Sequence, residues 1–290
     1  MGYTKIPETF LSEDIIYHYC HINTAVEYIL HEKKLRLSPR RHTNDPLETL
    51  KPFFTNSGMY VPDDTVEKED ERRKLNEIIR CRAIDKIGNA KQVSFCMNDV
   101  SNRIHDGTKN QNAEYFGFSK PRMWDQYADN YRGVCLAFSL DKLIQNAPKC
   151  EHGAVKYYNY SILNQLNLSI DELKINMNGI EDYWNDFSKR ISNQMFWKHS
   201  DYKGENEYRF ISFNPSDFDY INISDSLLGI ILSNNFTSDF MKQAIENFAE
   251  ENRIELLYLS WEQRGFSIQT RESKNKILRA IEETRQHLNK

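Results

Sequence analysis

Residues 15–38 read IIYHYCHINTAVEYILHEKKLRLS. The first six, Ile15 to Cys20, are β-branched and aromatic, which favours an extended strand. Asn23 or Thr24 offers a side-chain oxygen suited to capping a helix, and Val26, Ile29 and Leu30 then recur at helical spacing. Leu35 to Ser38 returns to a strand-like pattern, closed by Pro39. Strand, short helix and strand in so little chain predict an α+β fold.

The two periods continue to alternate downstream. Val66 to Ile87 reads as a charged amphipathic helix with Leu75, Ile78 and Ile79 on its apolar face, and Val93 to Met97 as a strand. Trp124 to Tyr131 fits a helix ended at Gly133, and Val134 to Ser139 fits a buried strand. Residues 162–197 are mostly helical in pattern, with Ile175, Ile180, Trp184, Phe187 and Ile191 among the apolar anchors. Tyr208 to Phe213 is strand-like. Leu227 to Ser233, residues 237–252 and Ile254 to Trp261 read strand, helix, strand, and a last helix is expected near Ile277 to Leu288. Asn44-Asp45-Pro46 is a turn signal, and residues 51–64 and 99–114 read as loops. The expected architecture is one α+β domain over residues 1–290, with a central mixed or split β-sheet and flanking helices. Helical insertions are expected near 65–90 and 162–197, and the strand at Ile15 is expected beside the strand at Tyr208.

Hydrophobic residues make up 39% and charged residues 28% of the chain, a globular rather than disordered balance. The net charge of −4 argues against a dedicated nucleic-acid surface but leaves room for a local basic patch. Lys33, Lys34, Arg36, Arg40 and Arg41 are the densest basic stretch, either a solvated face or a meeting point for phosphates. The five cysteines are scattered without a CxxC pair, so neither a zinc ribbon nor a disulfide framework is indicated. The start lacks a signal-peptide pattern and no apolar run reaches membrane-spanning length, so a cytoplasmic protein with no membrane partner is expected.

Glu205-Asn206-Glu207 is the sharpest chemical feature. Gly204 is expected to turn the chain, and alternation along the strand that follows sends Glu205, Glu207 and Arg209 one way. Two carboxylates so placed can hold a sugar hydroxyl and stabilise an oxocarbenium-like cation. Solvent-facing acids paired with Arg209 or Lys203 explain the same spacing. Tyr17-His18-Tyr19 presents His18 to one face of a strand and both tyrosines to the other, which suits either a ligand or a core. Trp124, Tyr127 and Tyr131 form an aromatic stripe at helical spacing, the usual mark of packing. Asp45 and Glu48, taken with Glu205 and Glu207, leave open a metal-dependent nuclease. A non-catalytic nucleotide-sensing module is the remaining alternative.

The ordered series YHY, RHTNDPLE, VSFCM, MWDQYADNYRGVCLAF and FWKHSDYKGENEYRFIS resembles the signature of a bacterial family without an assigned activity, over roughly residues 15–260. Separately, residues 15–38 are similar to the opening of ADP-ribosyltransferases. That likeness implies an ADP-ribosyltransferase-like fold that cleaves the nicotinamide–ribose bond of NAD as substrate, with no metal. It implies that His18 contacts the ribose, that Glu207 is the catalytic acid and that Glu205 orients an acceptor. Ser94 and Tyr127 both answer to the family's middle tyrosine or serine, and Tyr17 and Arg209 join them on the NAD side. A protein or nucleic-acid acceptor, and a toxin or phage-defence role, are further implications.

Overall fold

The computed structural model describes residues 6–43, 54–57, 66–102, 115–159, 168–236, 238–262 and 265–270. The first strand, β1 (Ile15–Cys20), leads through a π-helical turn at Thr24–Leu30 to β2 (Lys34–Pro39) and a 3₁₀ turn at Arg40–His42. Then follow β3 (Phe54–Ser57), α1 (Val66–Gly88), β4 (Lys91–Met97), α2 (Pro121–Tyr127), β5 (Val134–Ser139) and α3 (Leu140–Asn146). The middle of the chain gives β6 (Glu151–Ala154), β7 (Lys156–Tyr158), β8 (Leu168–Asp171), α4 (Glu172–Asn178), α5 (Ile180–Gln194) and β9 (Trp197–His199). It ends with β10 (Glu207–Ser212), β11 (Asp219–Asn222), β12 (Leu227–Ser233), α6 (Asp239–Glu251), β13 (Glu255–Glu262) and β14 (Gly265–Thr270).

The large sheet is mixed and runs β11-β2-β4-β1-β5-β12-β13-β14, with β10 also on β4 and β6 beyond β10. β12 and β13 are parallel because α6 carries the chain back between them, while β1, β4, β5 and β10 pair antiparallel. Its two faces make two cores. Ile16, Phe95, Leu136, Phe138 and Phe210 pack on one side, and Tyr17, Tyr19, Cys96, Phe118 and Trp124 on the other. A third core joins α1, α4 and α5 to β10 through Ile79, Ile175, Phe187 and Ile211. The chain is thus mixed α+β, as its periodicities imply.

The pairing of β4 decides where a site can form. Cys96 is in register with both Tyr17 of β1 and Glu207 of β10, so β1 and β10 lie on opposite edges of β4. The expected adjacency of the strands at Ile15 and Tyr208 is therefore wrong: β4 runs between them. Along the β1 edge, Cys96 and Met97 pair with β1 and Lys91 and Gln92 pair with β2, but residues 93–95 have no strand partner there among the described residues. The sheet is split at that point.

Several local expectations also change. The turn after β1 already includes Asn23 in helical conformation, and Ala25 N–H donates to His21 O (3.0 Å), so neither Asn23 nor Thr24 caps it from outside. α2 stops at Tyr127, because Asp129, Asn130 and Tyr131 all take positive φ (48°, 50° and 68°). Tyr131 thus leaves the helical stripe and meets Trp261 edge-on. Gly133 follows because a Cβ there would lie 2.3 Å from the Cys20 carbonyl oxygen. Ile78 is 42% exposed rather than packed. Residues 54–57, read as loop, form β3 and pair in parallel with β8. Asn44 to Glu48 and the helix near Ile277 to Leu288 lie outside the described residues. Among the described residues, no helix is long and apolar enough to cross a membrane.

Candidate functional site

The gap in the β4 edge is where the side chains of interest converge. A cavity of about 240 Å³ lies there, lined by Tyr17, His18, Ser94, Tyr127, Glu205 and Glu207 together with Lys198, Met123, Gln92 and His42. Ser94 sits where β4 lacks a strand partner on its β1 edge, so its carbonyl on that side meets a side chain instead. His18 takes it, with Nδ1 3.0 Å from Ser94 O. A carbonyl only accepts, so Nδ1 carries the proton and Nε2 remains an acceptor. Burial pushes the imidazole pKa down, partly offset by the Ser94 carbonyl, and keeps the ring neutral near pH 7.

Glu207 opens β10 and Glu205 closes the 3₁₀ turn Ser200–Glu205 before it. Asn206 between them is left-handed (φ 47°, ψ 58°), and its Nδ2 donates to the Met97 and Asn98 carbonyls at 3.2 and 3.1 Å. This turn, rather than Gly204, whose φ is not positive, aims both carboxylates into the cavity. Both are buried at 3% exposure, so they are not the solvent-facing pair that spacing alone allowed. Their partners are Lys198 and Arg209, not Lys203. Lys198 Nζ donates to Glu205 (2.7 Å) and Glu207 (3.2 Å), and Arg209 grips Glu207 from Nε (2.6 Å) and NH2 (2.8 Å). The Ser94 side chain adds a hydrogen bond to Glu207, and Tyr157 Oη accepts from the Glu207 backbone N–H at 2.9 Å.

These contacts split the two acids. Burial opposes the charge on Glu207, but Arg209, with help from Lys198 and Ser94, outweighs it and holds the carboxyl at about 2. For Glu205 burial wins over the Lys198 attraction and raises the pKa. Its Oε1 has no hydrogen-bond partner. A saturated, firmly ionised carboxylate beside one whose pKa burial raises is an arrangement suited to different roles in one reaction.

Arg209, expected on the cofactor side, is fully buried beneath Glu207 and also donates to Met195 O at 2.7 Å, so it supports the acid and does not line the cavity. Tyr17 lines the cavity but is itself fully buried, its ring edge-on to Phe118. Gly117 makes room for it, since a Cβ there would approach the Tyr17 ring to 2.5 Å. Tyr127 is half-buried, and burial pushes its phenol up to about 12, so it remains a neutral ring with a hydroxyl. Trp124 packs as expected, fully buried, with Nε1 donating to Phe118 O at 2.7 Å.

Lys198 is the residue that sequence reasoning missed. It lies on β9, whose Trp-Lys-His carries no obvious burial signal, yet it is 6% exposed and stacks its ammonium 4.6 Å from the Tyr202 ring. Its one signal was the pair of acids seven and nine residues later.

Residues 123–210 match the model of a family described as a protein of unknown function, DUF2971. That stretch supplies Tyr127, Lys198, Glu205, Glu207 and Arg209, whereas His18 and Ser94 lie before it. The match agrees with the expected likeness to a family without assigned activity, over a shorter span than the motifs covered. No curated protein and no solved structure matches the chain.

Proposed function

We propose that the protein is an ADP-ribosyltransferase-like enzyme that cleaves the nicotinamide–ribose bond of NAD and passes ADP-ribose to a macromolecular acceptor. The observation that carries this reading is the convergence of His18, Ser94, Tyr127, Glu205 and Glu207 on one cavity from four separate segments. About 240 Å³ is below the usual range of ligand pockets, so the cavity takes a heterocycle and its sugar at most, with the rest of the dinucleotide lying outside.

In this reading the neutral His18 accepts from a ribose hydroxyl through Nε2. Glu207 accepts a second hydroxyl and faces the cationic sugar that forms as the bond breaks. About four lone-pair sites on Glu207 already meet donors from Arg209, Lys198 and Ser94. Substrate therefore displaces one of them, and Lys198 is the one with a second acid to retreat to. The electron pair of the broken bond leaves on neutral nicotinamide. An acceptor N or O lone pair forms the new bond to ribose C1′, and Glu205 takes the acceptor's proton. Tyr127 stacks on the nicotinamide. Modification of a host macromolecule would fit a toxin or phage-defence effector.

Incubation with NAD labelled separately in nicotinamide and adenylate tests this. Released nicotinamide and acceptor-bound adenylate are expected. Unchanged NAD with every acceptor preparation, at enzyme concentrations equal to NAD, would sink the proposal. A metal-dependent nuclease has no observation in its favour: Asp45 and Glu48 are outside the described residues, and Glu205 and Glu207 already face cations.

A further inference from the structure

β2 carries one wall of the cavity out to the edge of the sheet. Ser38 lines the cavity and pairs with Gln92. Alternate residues share a strand face, so Arg36 and Lys34 continue the Ser38 face about 7 and about 13 Å further out. Both are exposed, while Leu35 and Leu37 between them are buried. β11 pairs with β2 so that Tyr220 stands opposite Arg36 and joins the same face, 54% exposed. Phe218 is 41% exposed, with the Arg36 guanidinium 4.8 Å over its ring. At the inner end Arg41 and His42 are exposed in the turn after β2, and His42 reaches the cavity. Asp219, on the neighbouring strand, stands opposite Leu37 and is held by Ser212, Asn214 and Ser216, away from this strip.

Cations interleaved with exposed rings, on a strip ending in a catalytic cavity, form a surface with a definite chemistry. Basic side chains follow a phosphate backbone and exposed aromatic rings stack unpaired bases. An acidic peptide would use the cations but leave the exposed Tyr220 ring without a planar partner. A duplex would bring its bases already stacked and paired, with none free for the exposed rings. We infer that the strip Lys34–Arg36–Arg41–His42, with Phe218 and Tyr220, is a track for a single-stranded nucleic acid, one nucleotide of which is presented at the mouth of the cavity as the acceptor of ADP-ribose. This rests on the NAD reading above for the transfer, but not for the binding.

The test is anisotropy of fluorescein-labelled single-stranded DNA and RNA of about 12 nucleotides, within the usual site sizes, measured across a salt series without NAD. Wild type should bind at least one of them. The double reversal Lys34→Glu/Arg36→Glu should weaken binding about tenfold or more and flatten the log K against log salt slope by about 1.4, two phosphate contacts at about 0.7 each. Arg36→Gln should give about half that change in slope, and guards against misfolding of the double variant, which thermal melting also checks. Tyr220→Ala should weaken binding with the slope unchanged. Nicotinamide release without acceptor should be the same in all of them. No binding at low salt, or binding indifferent to Lys34 and Arg36, overturns the track. So does label arriving on protein with the strip variants as active as wild type. Strip-dependent binding without NAD consumption upholds the track and overturns the transferase reading instead.

Discussion

Replacing Glu207 by Gln keeps the shape of the side chain and removes its charge, which strands Arg209. The Arg209 guanidinium is fully buried and donates to Glu207 from both Nε and NH2. A Gln amide accepts one of these bonds and turns an N–H toward the other. The displacement of the Glu207 pKa from 4.5 to about 2 corresponds to about 3 kcal/mol of stabilisation of the charged form. Breaking one side of a buried ion pair typically costs about 3–5 kcal/mol, so the two routes agree. Glu207→Gln should therefore unfold in urea at clearly lower concentration than wild type, and loss of activity in that variant alone says little about chemistry. The double variant Glu207→Gln/Arg209→Met removes both charges and should recover about 2 kcal/mol or more of the loss. If the recovered protein binds NAD but releases nicotinamide about a hundredfold to a thousandfold more slowly, Glu207 acts on the transition state. A Glu207→Gln protein within about 1 kcal/mol of wild type would refute the buried-pair argument.

Four further outcomes follow from the same contacts. Because the folded Glu207 pKa is depressed, its contribution is full above about 4.5 and is lost as pH falls toward about 2; urea unfolding against pH should show that limb in wild type and not in Glu207→Gln. Lys198→Met leaves Glu205 buried without its cation, which raises a pKa already raised by burial, so the variant's melting temperature should fall more at pH 8 than at pH 5, and an equal fall at both would contradict this. Trp124→Ala should cost about 3–5 kcal/mol in chemical denaturation, from lost packing and the lost bond to Phe118 O. Gly133→Ala should cost about 1–3 kcal/mol or more, since its Cβ meets the Cys20 carbonyl at 2.3 Å, and a wild-type melting temperature would show that the backbone yields there.

The strands that carry the site were legible because each is a local run of β-branched or aromatic residues. Ile15–Cys20, Val134–Ser139 and Leu227–Ser233 appear at the expected bounds, and β4 starts two residues before its own. Short edge strands such as β3, β6 and β11 were not legible, because polar, few-residue segments become strands only when a neighbour supplies hydrogen bonds. Glu205 and Glu207 stood out by residue type and spacing, while His18, Ser94 and Tyr127 were assigned through the likeness to ADP-ribosyltransferases, and all five line one cavity. What sequence could not supply was the partner of each. Periodicity fixes which face a side chain takes, but strand order depends on contacts between distant segments, and so β4 came to lie between β1 and β10 and to open a gap at Ser94. Burial is decided the same way. Glu207 and Arg209 looked like a surface pair two residues apart, and it is their burial, with Lys198 of β9 and the Met195 carbonyl drawn in, that makes their charges costly to separate.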